Sequence, residues 1–302
     1  LEKAVGEYTK ALSFNPSDLE TGIHFVEILI FLKRYDEALR VAEKTMEISP
    51  NDYRLLYQIG NIYYFKKDIE KSATYMARVI DLKPDFAGAH YFLGLIYMER
   101  GILNKAEEEL YYAVKYEDKN PLYLYTLSKV LFLEKKAFDA LEKVDRALQF
   151  SPSYTDAWVL KGKVKSFLGS YSEAKDCFKK AIELDRKTID GWIGLSEIAK
   201  AEGDKKTAYY YLETAERINP STSLFVAKGK LLLEDGNLKI ALEYFEKATK
   251  LSPSDPIPYF YAGLIYKKMG FKDKAREMFE KAVNNGLSGE ERAQLNKEIS
   301  NW

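Results

Sequence analysis

Prolines recur through this 302-residue chain at one spacing. Pro16, Pro50 and Pro84 stand 34 residues apart, Pro152 and Pro220 follow at 68 each, and Pro253 comes after 33. Asp118 and Arg186 occupy the two skipped places. A second series keeps the same period: Ala4, Ala38, Ser72, Ala106, Ala140, Ala174 and Ala208, then Ala241 after 33 and Ala275 after 34. Gly60, Gly94, Gly162, Gly229 and Gly263 make a third. One frame holds all three, with one residue deleted between Pro220 and Gly229. Self-similarity of this length marks an array of stacked units, each burying its apolar face against its neighbours.

Each unit reads as two helices. In the first, apolar or small residues recur at i, i+3, i+4 and i+7, as in Leu56, Ile59, Gly60 and Tyr63, which is one helical face. A break follows, often a glycine suited to a left-handed C-cap: Gly101, Gly169, Gly203, Gly236 and Gly270. The second helix repeats the logic, as in Ala106, Leu110, Ala113 and Val114, and ends near the proline, which disfavours helix in the residue before it. Asp18, Asp52 and Asp255 stand two residues past a proline, placed to cap the next helix. The recurring Gly, Ala and Ser positions are where helices can approach closely.

This pattern resembles the tetratricopeptide repeat family. With the proline numbered 32, the family expects a large residue at 4, Leu at 7, Gly or Ala at 8, an aromatic at 11, Ala at 20 and 27, and a large residue at 24. Residues 87–120 supply His90, Leu93, Gly94, Tyr97, Ala106, Leu110 and Ala113, with Asp118 at the proline place. Residues 155–188 supply Trp158, Lys161, Gly162, Lys165, Ala174, Phe178 and Ala181. The weakest unit is 19–52, with Gly22 at position 4 and Val26 at 8. The expected fold class is therefore all-α, a right-handed superhelical α-solenoid of helix-turn-helix repeats. The organisation read from the frame is a half-repeat (1–18), eight repeats (19–52, 53–86, 87–120, 121–154, 155–188, 189–222, 223–255 and 256–289) and a polar C-terminal capping helix (290–302). The chain begins at Leu1, without a methionine and in what reads as mid-helix, so the expectation is a piece of a longer protein.

In that family, positions 2, 5, 9, 12 and 13 face a concave groove. Carried over, they point to Tyr57, Asn61, Tyr64, Phe65, Tyr91, Leu95, Tyr125, Lys129, Phe132 and Lys163 as candidate peptide-binding residues. Up to residue 133 this surface is aromatic and aliphatic; beyond residue 190 it is mixed and charged. Aromatics bury large areas with few rotatable bonds and so suit an extended segment or amphipathic helix. The Tyr57–Tyr91–Tyr125 ladder has two readings, inter-repeat packing or ligand contact. The two-lysine, asparagine-based clamp by which some members of the family hold a chaperone's C-terminal carboxylate is absent, because no position 5 is Lys and only Asn61 matches. The groove cations Arg54, Lys129, Lys163 and Lys230 alternate with Asp156, Asp190 and Glu197, the pattern of a solvated face.

Composition removes most other functions. Lys+Arg and Asp+Glu are 46 each, so no net field gathers nucleic acid or an acidic membrane. No apolar run approaches the ~20 residues of a membrane-spanning helix. Cys177 alone cannot form an internal disulfide or a multi-thiolate metal site, and His24 and His90 leave little for zinc or a nucleophilic triad. No cofactor, metal or catalytic residue is expected. The reading is a non-catalytic scaffold holding a protein or peptide ligand in its groove, with self-association through the repeat ends as the alternative.

Overall fold

A computed structural model of the chain describes residues 2–300, of which Ser300 is described by its backbone only; Leu1, Asn301 and Trp302, which fall in the terminal segments read above, lie outside the described residues. Those residues form eighteen helices and fall into two compact units divided after Pro152. The first unit holds α1 (Glu2–Phe14), α2 (Leu19–Phe31), α3 (Tyr35–Ile48), α4 (Tyr53–Phe65), α5 (Ile69–Leu82), α6 (Ala87–Glu99), α7 (Leu103–Tyr116), α8 (Pro121–Leu133) and α9 (Ala137–Phe150). The second holds α10 (Thr155–Phe167), α11 (Tyr171–Leu184), α12 (Ile189–Ala201), α13 (Lys205–Ile218), α14 (Thr222–Glu234), α15 (Leu238–Leu251), α16 (Pro256–Lys268), α17 (Lys272–Asn284) and α18 (Gly289–Ser300). Each is a stack of helix pairs, and the all-α repeat fold read from the sequence is what forms.

The period divides cleanly. In residues 53–86 the two helices take thirteen and fourteen residues, leaving seven for two turns. The turn inside a pair is tight: at Gly101 φ is +72°, and the amides of Gly101 and Ile102 bond back to the Met98 and Tyr97 carbonyls. Three pairs make the same turn with lysine, Lys33, Lys67 and Lys135, all at positive φ. The turn between pairs is extended. Ser49 ends α3 at φ −140°, and after Pro50 the Asp52 carboxylate accepts from the amides of Arg54 and Leu55. Asp18 and Asp255 cap α2 and α16 in the same way. Where one residue is missing, the cap moves to Ser221, at φ −145° and ψ 161°, whose hydroxyl accepts from the Leu224 amide. The deletion is absorbed in the linker.

Positions 8 and 24 of one repeat are where its two helices meet. A Cβ on Gly94 would sit 2.6 Å from Leu110 Cγ, and one on Gly162 2.6 Å from Phe178 Cε1. Ser128 and Ser196 fill the glycine place by turning their hydroxyls onto the carbonyls of Ala140 and Ala208, at 2.7 and 3.0 Å. The unit that reads weakest in the sequence is reciprocal. Small Gly22 meets Thr45 where six other repeats place alanine, and larger Val26 shares a buried cluster with small Ala42. Volume moves from one position to the other, and Val26 and Leu29 still bury fully in one cluster with Ala38 and Ala42.

Candidate functional site

The aromatic residues of the first unit converge on one ring that the groove positions do not include, Phe92. Its centroid lies 5.8 Å from Tyr57, 5.3 Å from Tyr64, 6.4 Å from Phe65 and 5.7 Å from Tyr91, all edge-to-face. Tyr57 also meets Phe86 edge-on at 4.9 Å, and Tyr91 stacks on Tyr123 at 4.7 Å. Helices α4, α6 and α8 supply these rings, with Phe86 at the N-cap of α6. Edge-to-face pairs satisfy the ring quadrupoles, each favoured by about 0.5–1.5 kcal/mol beyond its burial. The result is a preorganised aromatic surface.

Burial differs from ring to ring. Phe65 keeps 45% of its surface exposed, Tyr57, Tyr64, Tyr91 and Phe92 are half-buried, and Tyr123 is buried. Tyr57 lies against the start of α6, where a Cβ on Gly88 would come within 2.9 Å of its hydroxyl oxygen. Burial pushes the Tyr57 hydroxyl above its ordinary pKa, and the neighbouring Asn61 amide draws it partly back. Asn61 itself is buried: its Nδ2 donates to Gln58 Oε1 at 3.4 Å, and its enclosed Oδ1 finds no hydrogen-bond partner among the described residues. Tyr64 donates its hydroxyl to Glu99 Oε1 at 2.7 Å, and Lys67 lies 3.6 Å from the same carboxylate. Burial first, then that carboxylate, keeps the Tyr64 phenol protonated well past its usual range.

The remaining candidate residues lie on α6, α8 and α10. Leu95 on α6 is half-buried; on α8, Tyr125 and Phe132 are half-buried and Lys129 is exposed. Lys163 belongs to the second unit, where it pairs with Asp190 at 2.7 Å. Phe86, Phe92 and Tyr123 were not among the sequence candidates. The one signal for them was local aromatic density, Tyr91 beside Phe92 and Phe86 at a capping position where four other repeats carry Asp or Asn.

The second unit is electrostatic instead. Lys200 pairs with Glu234 at 2.9 Å. Glu197 is open to solvent, yet desolvation by the surrounding protein raises its carboxyl above the ordinary value, against the pull of Lys163, Lys200 and Lys230. Lys163 and Lys200 are thus each paired with a carboxylate. His90 is a packed residue: it is buried, its ring nitrogens lying 2.7 Å from Glu109 and 2.9 Å from the Pro84 carbonyl. His24, exposed, does have a neighbour, Glu27 at 3.1 Å. Cys177 is buried. Among the described residues no three His, Cys, Asp or Glu side chains could together hold a metal ion, and no helix is long and apolar enough to cross a membrane.

Profiles of the tetratricopeptide repeat match residues 155–188, 223–255 and 259–284, and residues 57–123, together about half of the chain. TPR repeat-containing protein MJ1428 of Methanocaldococcus jannaschii is 26% identical over 310 residues, covering 95% of this chain and 53% of that protein. The chain spans about half or less of the length of such curated relatives. Among solved structures, a tetratricopeptide repeat protein from Parabacteroides merdae is similar over 88% of this chain and 98% of its own, at 16% identity and a TM-score of 0.67. YrrB, described as a TPR protein with an unusual peptide-binding site, is similar over 61% of this chain and 95% of its own, at 20% identity and a TM-score of 0.50. With its 34-residue period folded as helix pairs and the repeat matched in both units, this chain belongs to the tetratricopeptide repeat family.

Proposed function

We propose that the chain is a non-catalytic interaction scaffold that holds a peptide segment or partner helix on the aromatic surface of its first unit. The observation that carries this is the Phe92-centred ring network with Phe65 standing open beside it. Rings already locked by their neighbours lose little entropy when a ligand covers them, which is where aromatic anchors gain their affinity. Family membership supports a binding role for protein or peptide. Asn61 acts in this reading beneath the surface, holding Tyr57, rather than as a ligand contact.

The test separates anchoring from packing. Peptides selected from a displayed library on the wild-type chain are titrated against Phe65→Ala, Tyr64→Ala and Tyr57→Ala, with urea unfolding in parallel. Truncating an anchor typically costs about 2 kcal/mol of binding or more. Phe65→Ala should show that loss with little change in unfolding, while Tyr57→Ala should lose folding stability as well. Unchanged affinity in Phe65→Ala and Tyr64→Ala would remove the site from this face.

A further inference from the structure

Helix α18 does not behave as an ordinary end cap. Every other second helix of the second unit leads into the next first helix through an extended linker, but α17 ends differently. Leu287 stands where the frame expects proline, Gly286 turns at φ +85°, and the Leu287 amide bonds back to the Ala282 carbonyl at 3.0 Å. That is the tight turn used inside a pair. Helix α18 then packs on α16 more closely than on α17. Beside α17 an open cavity of about 570 Å³ remains, lined by Phe279, Val283 and Ile299 among others.

Leu295, Glu298 and Glu291 of α18 meet α14 and α16. Leu295 is fully buried in a cluster with Phe260 and Leu264, at positions 5 and 9 of the last repeat. Glu298 meets Lys267 of α16 at 2.8 Å, and Lys267 also donates to the Glu298 carbonyl at 2.7 Å. Glu291 reaches back past α16 to Lys230 of α14, at 3.8 Å. Positions 230 and 267 are 9 and 12 of their repeats, the face that in the first unit carries the ring network. Residues 291, 295 and 298 are spaced i, i+4 and i+7, so one side of a single helix presents carboxylate, leucine and carboxylate to two lysines and an apolar floor.

We propose that the face of α14 and α16 bearing Lys230, Phe260, Leu264 and Lys267 is a docking site for an acidic amphipathic helix. Such a helix carries a leucine with a carboxylate four residues before it and another three after it, and α18 is the in-chain occupant that a partner helix displaces. Charge complementarity selects the acidic partner, and the depth of Leu295 sets the anchor. A short tether gives α18 an effective concentration of order millimolar, so a free helix competes only when it binds better or when α18 is loosened. The inference is independent of the aromatic surface of the first unit and stands or falls apart from it.

The probe is a fluorescein-labelled peptide with the sequence of residues 288–300, titrated by anisotropy against the full chain. Leu295→Asp should release α18, and the peptide should then bind at least about tenfold more tightly than to wild type. Adding Lys230→Glu and Lys267→Glu to that variant should abolish the gain, and a peptide carrying Leu295→Asp should not bind. Equal binding to wild type and to a folded Leu295→Asp chain, or none to either, would overturn the proposal. Should Leu295→Asp not fold, hydrogen exchange on the wild-type chain decides: excess peptide should speed exchange of α18 amides and leave those of α17 unchanged. No acceleration would overturn it. So would light scattering that shows a wild-type dimer reduced to monomer by Glu291→Lys with Glu298→Lys, since a second copy's helix would then be the occupant.

Discussion

Lys33, Lys67 and Lys135 occupy turns that five other pairs give to glycine. A side chain with Cβ at positive φ crowds the following carbonyl, at a cost of about 1–2 kcal/mol, against which glycine's larger unfolded-state entropy returns about 0.5–1 kcal/mol. Lys33, at φ +58°, makes the cleaner test of the three. Lys33→Gly should raise unfolding free energy by roughly 0.5–1 kcal/mol in urea titration; a loss would mean the lysine stem packs more than it strains. His90 is the other residue whose environment dictates behaviour. Burial works against its charge, but hydrogen bonding to Glu109 and the Pro84 carbonyl outweighs it, so the folded pKa is raised. A raised folded value means the stabilisation is complete below the unfolded pKa of about 6.5 and is lost as pH rises through the folded value. The stability advantage of wild type over His90→Gln should therefore shrink as pH rises from the unfolded value of about 6.5 through the raised folded one. An advantage that grows over that range would contradict the sign.

At the scale of elements, one aromatic ring measures how closely helices approach. Phe178 on α11 is 1% exposed and lies between two glycines, Gly162 of its own repeat and Gly194 of the next. A Cβ at either place falls well inside van der Waals distance of the ring. Gly194→Ala should destabilise the second unit by about 1–3 kcal/mol, the usual cost of overpacking, and Gly194→Ala with Phe178→Leu should recover part of it. Additive losses in that cycle would show that the ring and the glycine do not share the strain. Half of this contact was legible beforehand, because positions 8 and 24 repeat in the sequence. The other half was not, because glycine at position 6 follows no series and matters only once the neighbouring repeat lies against Phe178.

At the scale of the molecule, the two units meet the same packing rules with different surfaces, aromatic in the first and charged in the second. Helix α18 belongs to this scale, since Leu295 closes over Phe260, Leu264 and Leu287, all buried. Deleting residues 289–302 should uncover that apolar floor, lower solubility and raise binding of a hydrophobic dye, as expected of an uncapped repeat array. Unchanged dye fluorescence and unchanged thermal unfolding would show that α18 shields nothing. What the sequence by itself determined is the helix pair: period, turn chemistry, capping aspartates and the small residues at close approach. These are relations between residues at constant offsets along one chain, and local sterics and hydrogen bonding settle them. Only the tertiary structure decided that Phe92 is the hub and that α18 turns onto Lys230 and Lys267. Those contacts join different repeats, and the angle at which one repeat leans on the next, which no single-chain offset encodes, chooses which rings and charges meet.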